Sequence, residues 1–263
     1  MSADAATTPP QEPTRAQRAR SFAHVAGEYE RGRPGYPPAA IEWLLGAQSL
    51  EVLDVGAGTG KLTAALLAAG HRVTAVEPLA QMRAVLERTL PQAHALAGTA
   101  ERLPLADASV DAVAVGAAFH WFDHDAALAE IARVLRPGGT LGLLGNAFDA
   151  SQGWIARVRE ILGPPSLRRP GHWPATERLQ PLFAQVEDRE FAHEQRVDRL
   201  ALRDLASSRS SLAVLAPGER ESVLARLDSL WEREPELAGQ PEATLRWRAN
   251  VRRCRGLRMP AER

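Results

Sequence analysis

Two stretches combine acids, glycines and histidines at spacings suited to holding a ligand or moving a proton. The first is Asp54-Val55-Gly56-Ala57-Gly58-Thr59-Gly60, with Glu77 following in "VEP". Glycines in this pattern permit positive φ angles and let a ligand approach the backbone with no β-carbon in the way. At the carboxyl edge of a strand in an open α/β sheet, such a turn is a place for a nucleoside. The pattern departs from the dinucleotide fingerprint G-x-G-x-x-G, because the third glycine comes one residue early and Lys61 stands in its place. Asp54, ahead of the first glycine, would repel a pyrophosphate but could face an ammonium group. Glu77 is placed to accept hydrogen bonds from both ribose hydroxyls.

The second stretch is "AAFHWFDHD", Ala117 to Asp125, whose two histidines and two aspartates suggest either a metal site or an acid/base pair. Asp123 precedes the periodic residues Leu128, Ile131 and Leu135 and reads as a helix N-cap, while Asp125 falls in the first turn, where a carboxylate suits the helix dipole. His124 then takes the first helical position, and no Cys, His or carboxylate elsewhere has a spacing that completes a metal shell; no metal is expected. His120 and Trp121 are left. The histidine is a candidate general base, with a substrate-orienting or purely structural role as the alternative.

The elements that must position these residues alternate between strand and helix. Leu50 to Val55 is an apolar run suited to a buried strand, and Leu62, Ala65, Leu66 and Ala69 recur at helical spacing after the glycine turn. Arg72 to Val76 is a second strand, and Met82, Val85 and Leu86 mark a second helix. Strands follow at His94 to Ala97, Val110 to Val115 and Thr140 to Leu144, with the Leu128 to Leu135 helix between the last two. A parallel sheet with helices on both faces is expected. Beyond Asn146 the pattern is less regular, with helices expected at Ser151 to Leu162, Ala175 to Phe183, Asp198 to Ser207 and Glu219 to Trp231, and strands at Val186 to Arg196 and Thr244 to Arg253.

Bulk properties narrow the function class. Basic and acidic side chains balance at 32 each, so no summed field draws the chain to nucleic acid or to an anionic membrane. One cysteine, Cys254, excludes an intrachain disulfide framework, and no apolar run approaches the roughly 18 residues that span a bilayer. The first 20 residues lack the apolar middle of a secretion signal and read as a disordered tail, so a cytoplasmic protein is expected.

Taken together, these motifs resemble the S-adenosylmethionine-dependent class I methyltransferases, in the small-molecule branch that includes ubiquinone/menaquinone-type and trans-aconitate-type enzymes. The resemblance runs through "VLDVGAGTG", "VEP" with Met82 after it, "GTAERLPLADASVDAV", "AFHWFD" and "EIARVLRPGG", and "RSFAHVAGEYERGRPGYP" looks like the amino-terminal lid of that branch. It implies a Rossmann-like, seven-stranded, mostly parallel sheet with helices on both faces, its final strand antiparallel. By residues, it implies a lid helix at 21–47, a cofactor-binding core at 48–196, a helical substrate cap at 197–243, and a last strand and tail at 244–263.

The resemblance also implies S-adenosylmethionine as cofactor. Asp54, Gly56, Ala57, Gly58 and Gly60 would hold its methionine part and Glu77 its ribose, Met82 would pack on its adenine with Thr99 and Ala100 at the adenine edge, and Pro78 and Glu101 would also be cofactor-binding. Gly116 and Ala117 would lie beside the crevice. From the lid, Arg33 could pair with the cofactor carboxylate and Tyr29 could cover the sulfonium, the alternative being a surface segment whose tyrosines only pack on the core. Tyr36 and Trp121 would contact the acceptor, Trp121 as an apolar wall near the methyl group, and Arg209 and Arg246 could receive an acceptor carboxylate or phosphate. Against that role, Arg246, Arg248, Asn250 and Arg252 alternate with apolar residues as the solvent face of an edge strand would. The expected partner is a small-molecule methyl acceptor, with no nucleic acid or membrane, in a monomer or homodimer. The alternatives are an RNA methyltransferase or RNA-binding protein, and a non-catalytic S-adenosylmethionine-binding regulator.

Overall fold

Central strands with apolar residues on both sides need cover on both faces. In the computed structural model, which describes residues 14–149, 151, 153–163, 173–174 and 176–258, they have it. The strands are β1 (Glu51–Val55), β2 (Arg72–Val76), β3 (His94–Leu96), β4 (Val110–Gly116), β5 (Leu135–Phe148), β6 (Phe183–Val197) and β7 (Ala243–Leu257). They form one sheet in the order β3-β2-β1-β4-β5-β7-β6, in which β7 runs antiparallel to both neighbours. The helices are α1 (Arg15–Ser21), α2 (Ala26–Gly32), α3 (Pro38–Leu45), α4 (Lys61–Ala68), α5 (Ala80–Thr89), α6 (His124–Val134), α7 (Gly153–Ile161), α8 (Thr176–Leu179), α9 (Arg199–Ser207), α10 (Ser210–Ala213) and α11 (Pro217–Arg233).

Alternation along β1 and β4 splits the core. Leu53, Val55, Val113 and Val115 pack with Leu128 and Ile131 of α6, whereas Val52, Ala112 and Ala114 pack with Ile41 and Leu44 of α3 and Leu62 and Leu66 of α4. A third cluster joins Trp154 of α7, Leu202 and Leu205 of α9, and Leu224, Leu227 and Trp231 of α11 to Leu245 and Trp247 of β7. This Rossmann-like sheet is the one expected, with differences at its margins. β5 starts at Leu135, ahead of the expected Thr140, because Leu135 pairs with Val110 before a register shift resumes the ladder at Ala112 and Thr140. The expected helix at Ala175 to Phe183 shrinks to α8, since Phe183 already pairs with Leu257 at the start of β6.

Two expectations about the amino terminus are corrected. The tail does not stay irregular to residue 20: Thr14 caps α1, its hydroxyl accepting from Gln17 N while the Gln17 side chain accepts from Thr14 N. Residues 1–13 and 259–263 lie outside the described residues. Nor is 21–47 a single lid helix. α3 belongs to the core, whereas α2 docks elsewhere, with Arg31 donating to both carboxylate oxygens of Asp204 on α9 at 2.6 and 3.1 Å. Contact there is backbone to backbone, because a β-carbon on Gly32 would fall 2.2 Å from Leu205 N.

Candidate functional site

The glycine turn closes β1 onto α4. Gly56 has φ +69° and Gly58 φ +59°, a region costly for residues with a β-carbon, and a β-carbon on Gly56 would meet that of Ala118 at 2.7 Å. Asp54 is fully buried under this turn. The Thr63 hydroxyl donates to its Oδ2 at 2.6 Å, whereas Oδ1 is buried with no hydrogen-bond partner. Burial pushes its carboxyl up to about 7, with nearby Glu77 adding to the shift and Thr63 opposing it. Glu77, 6% exposed, accepts from Gly58 N at 2.9 Å and from Leu79 N at 2.8 Å, and burial raises its carboxyl too. Ala57 is buried, Gly60 caps α4 in the left-handed region, and Pro78 is exposed just after Glu77.

The loop leaving β4 faces the same end of the sheet. Ala117 holds φ +54°, an uncommon conformation for a residue with a side chain, fixed by its N–H donating to Leu144 O at 2.7 Å. A 3-10 turn, Phe119–Trp121, then carries His120, whose ring lies 4.6 Å from that of Trp121. Trp121 meets Phe22 edge-on at 5.7 Å, and Phe22 meets Tyr29 of α2 in the same way at 5.7 Å. An aromatic series thus links the loop to the amino-terminal helices. Asp123 caps α6, accepting from Asp125 N and Ala126 N, and Asp125 pairs with Arg178 at 3.0 Å. Both carboxylates of the second stretch therefore have structural partners. Among the described residues no three His, Cys, Asp or Glu side chains gather into a metal-binding group.

The remaining candidates divide. Met82 and Tyr29 both reach the turn, lying 3.5 and 3.9 Å from where a Gly58 β-carbon would be, and the Tyr36 hydroxyl lies 3.0 Å from the corresponding point on Gly116. Burial raises both tyrosine phenols. Thr99 lines a cleft with Arg102 and Leu103, and Ala100 is buried beside it. Glu101, expected among the cofactor-binding residues, accepts from Asp123 N at 2.8 Å and fixes that loop to the start of α6. Arg33, expected on the cofactor carboxylate, lies over the Tyr29 ring and donates to Ser208 Oγ and O at 2.8 and 3.0 Å. Arg209 stands near it, between α9 and α10. Arg246 is not brought to the site: it is exposed and faces Glu194 of β6 at 3.4 Å, on the outward face its alternation foretold, although β7 lies between β5 and β6 and is not the edge strand expected.

Sequence reasoning missed three contributors. Thr63 sits nine residues after Asp54, on the helix that the turn folds back over the strand, and that connection was a usable signal. Lys61, the residue replacing the third dinucleotide glycine, donates to Glu30 of α2 at 2.7 Å, and Phe22 bridges the lid to Trp121. Neither long-range contact has a local signal.

Comparisons with known proteins agree with this geometry. Residues 53–143 match the methyltransferase domain family. An uncharacterized methyltransferase of Mycobacterium tuberculosis is 46% identical over 220 residues, covering 83% of this chain and 88% of that protein. The ubiquinone/menaquinone biosynthesis C-methyltransferase of Rubrivivax gelatinosus is 38% identical over 125 residues, 46% of this chain and 49% of that one. Among solved structures, a protein of Anaeromyxobacter dehalogenans provisionally assigned as a type II methyltransferase superimposes with a TM-score of 0.64 at 27% identity, covering 86% of this chain and 99% of that one. Sheet order, glycine turn and relatives converge: the chain belongs to the class I S-adenosylmethionine-dependent methyltransferases, and S-adenosylmethionine is its cofactor.

Proposed function

We propose that the methyl acceptor is a small molecule held between the glycine turn, the loop bearing His120 and Trp121, and the α2 lid. The observation that carries this reading is the roof: Tyr29 approaches Gly58, Phe22 meets Trp121, and Arg31 pins the lid to Asp204, so an acceptor must fit beneath the chain's own helices. Weighing against the RNA alternative, Arg246, Arg248, Arg252 and Arg253 of β7 face Glu194, Glu190, Asp188 and Glu187 of β6, which offsets the positive charge available to phosphates. Among the described residues no helix is long and apolar enough to cross a membrane. Incubation with methyl-labelled S-adenosylmethionine beside a metabolite extract, total RNA or a protein extract should move label into small molecules. Label confined to RNA or protein would overturn the reading.

The turn residues fit the cofactor. The buried, unpartnered Asp54 Oδ1 offers an acceptor that an ammonium group would satisfy, and Glu77 offers carboxylate lone pairs for ribose hydroxyls. When bound, S-adenosylmethionine supplies a methyl group already activated by its sulfonium. The protein's own work would be alignment and exclusion of water: Tyr29 and Phe22 would cover the site, Tyr36 and Trp121 would wall the acceptor, and a His120 ring nitrogen would take the proton that the acceptor loses. The same helices form the cap and lid units, with α9 to α11 as the cap over the acceptor.

A pH dependence follows from Asp54. Its folded-state pKa, about 7, lies above the ordinary carboxylate value, so the folded protein retains a proton that the unfolded chain releases. The stability this contributes is fully present below about pH 4 and lost as the pH rises through 7. Ligand-free protein should therefore show this component of its thermal stability declining between about pH 4 and 7 and levelling off above, and Asp54→Asn should remove the decline. An ammonium-bearing ligand needs the ionised form. Affinity for S-adenosylhomocysteine should fall below pH 7, approaching about tenfold per pH unit, with proton release detectable by calorimetry in buffers of different ionisation enthalpy. A flat profile would remove Asp54 from the ammonium role.

A further inference from the structure

Among the described residues Arg209 has no acidic partner to answer its charge. Arg33 of the lid is the charged group near it, and burial together with that like charge pushes its guanidinium down to about 10. Among the described residues no ion-pair or hydrogen-bond partner meets its side chain. Arg33 itself is held by neutral acceptors, the hydroxyl and carbonyl oxygens of Ser208. Nearby arginines are treated differently: Arg31 has Asp204, and Arg203 has Glu221 and Asp228. Two residues beyond Arg209, Ser211 Oγ is buried without a hydrogen-bond partner. α10 packs on α1 and on the Phe22–His24 turn, so this stretch lies where cap meets lid. Arg33 stacks on Tyr29, which reaches the glycine turn, and Arg33 is bonded to Ser208 next to Arg209, so the Arg209 stretch is joined to the roof of the proposed acceptor pocket.

Two like charges drawn partly out of water are unfavourable alone and become favourable around an anion. We propose that Arg209, with Arg33 beside it, binds an oxyanion of the methyl acceptor, a carboxylate or a phosphate, so that the acceptor is an anionic metabolite. This rests on the small-molecule pocket proposed above and adds the acceptor's chemical class. The planar fork of Arg209 suits two oxygens of one anionic group, and that anchor would fix the opposite end of the molecule toward the His120 loop.

The test uses the full chain saturated with S-adenosylhomocysteine and titrated calorimetrically with malonate and with inorganic phosphate. At least one should bind, and whichever binds more tightly identifies carboxylate or phosphate as the preferred group. Arg209→Gln should weaken that binding at least about tenfold while leaving affinity for S-adenosylhomocysteine within about twofold, and Arg209→Lys should retain part of it. Arg209→Gln should also melt no lower than the unmodified protein, since an unpaired, partly buried charge has been removed. The proposal is overturned if neither anion binds, if Arg209→Gln binds them as well as the unmodified protein, if the variant melts lower or unfolds, or if it loses S-adenosylhomocysteine to the same degree. Anion binding through Arg209 in a protein that methylates only RNA would instead sink the small-molecule reading and leave the oxyanion site standing.

Discussion

Glu77→Ala is expected to bind S-adenosylhomocysteine about 10- to 100-fold more weakly than the unmodified protein, the equivalent of roughly 1.5–3 kcal/mol for hydrogen bonds to a charged group. The complication is that Glu77 also serves the protein, because its two oxygens accept from Gly58 N and Leu79 N. Removing it frees both amides and loosens the turn. A 2′,3′-dideoxy analogue separates the two effects by a thermodynamic cycle. If Glu77 holds the ribose, the analogue should bind the unmodified protein weakly and hardly notice Glu77→Ala. If Glu77 acts only by shaping the turn, both ligands should lose affinity in parallel. Unchanged affinity in a folded variant would remove the residue from the site altogether.

The parts of this fold that could be read in advance are those in which the partner is implied by the period. β1, β2 and β4 carry apolar residues on both sides, so burial between two helical layers follows without knowing which helices supply it. Arg246 and Arg248 alternate with Leu245 and Trp247, and that alternation identified their outward face more reliably than their charge suggested a ligand. Where identity of the partner mattered, the sequence was silent. Ile41 and Leu44 mark a helix but do not say whether it roofs the pocket or packs on the sheet, and they pack on the sheet. The arginine-rich run at α1 has too little apolar content to promise a helix, and a capping pair, Thr14 with Gln17, starts it. α10 is four residues long, too short for any helical period to show.

The site divides along the same line. Asp54, the glycines and Glu77 are close in sequence and sit on one strand–turn–helix–strand unit whose geometry is local. Glu101 looked equally available as a cofactor acid, but its carboxylate accepts from an amide 22 residues away, and a backbone donor leaves no mark in the sequence. The Lys61–Glu30 pair and the Phe22–Trp121 contact are of the same kind. They set how the lid lies over the turn, and therefore what the pocket admits.

His120→Ala should slow methyl transfer by about 10²-fold or more, with affinity for S-adenosylhomocysteine near that of the unmodified protein. The reasoning is that a general base interacts with a proton in flight, so its loss appears in turnover and not in cofactor binding. The acidic limb of the pH–rate profile, where protonation of the base stops turnover, should disappear in the variant. His120 has a second, structural claim, because its ring lies against Trp121, which in turn meets Phe22. Truncation to alanine can let that aromatic series shift. His120→Gln preserves bulk and hydrogen bonding but cannot take the proton, and it distinguishes the roles. A base predicts that glutamine is as slow as alanine at saturating acceptor. An orienting residue predicts that glutamine recovers most of the activity, that alanine raises the acceptor's KM more than it lowers kcat, and that the acidic limb persists. Unaltered kcat and KM in both variants would leave His120 as part of the pocket wall, and the transfer would then rest on alignment beneath the lid without a protein base.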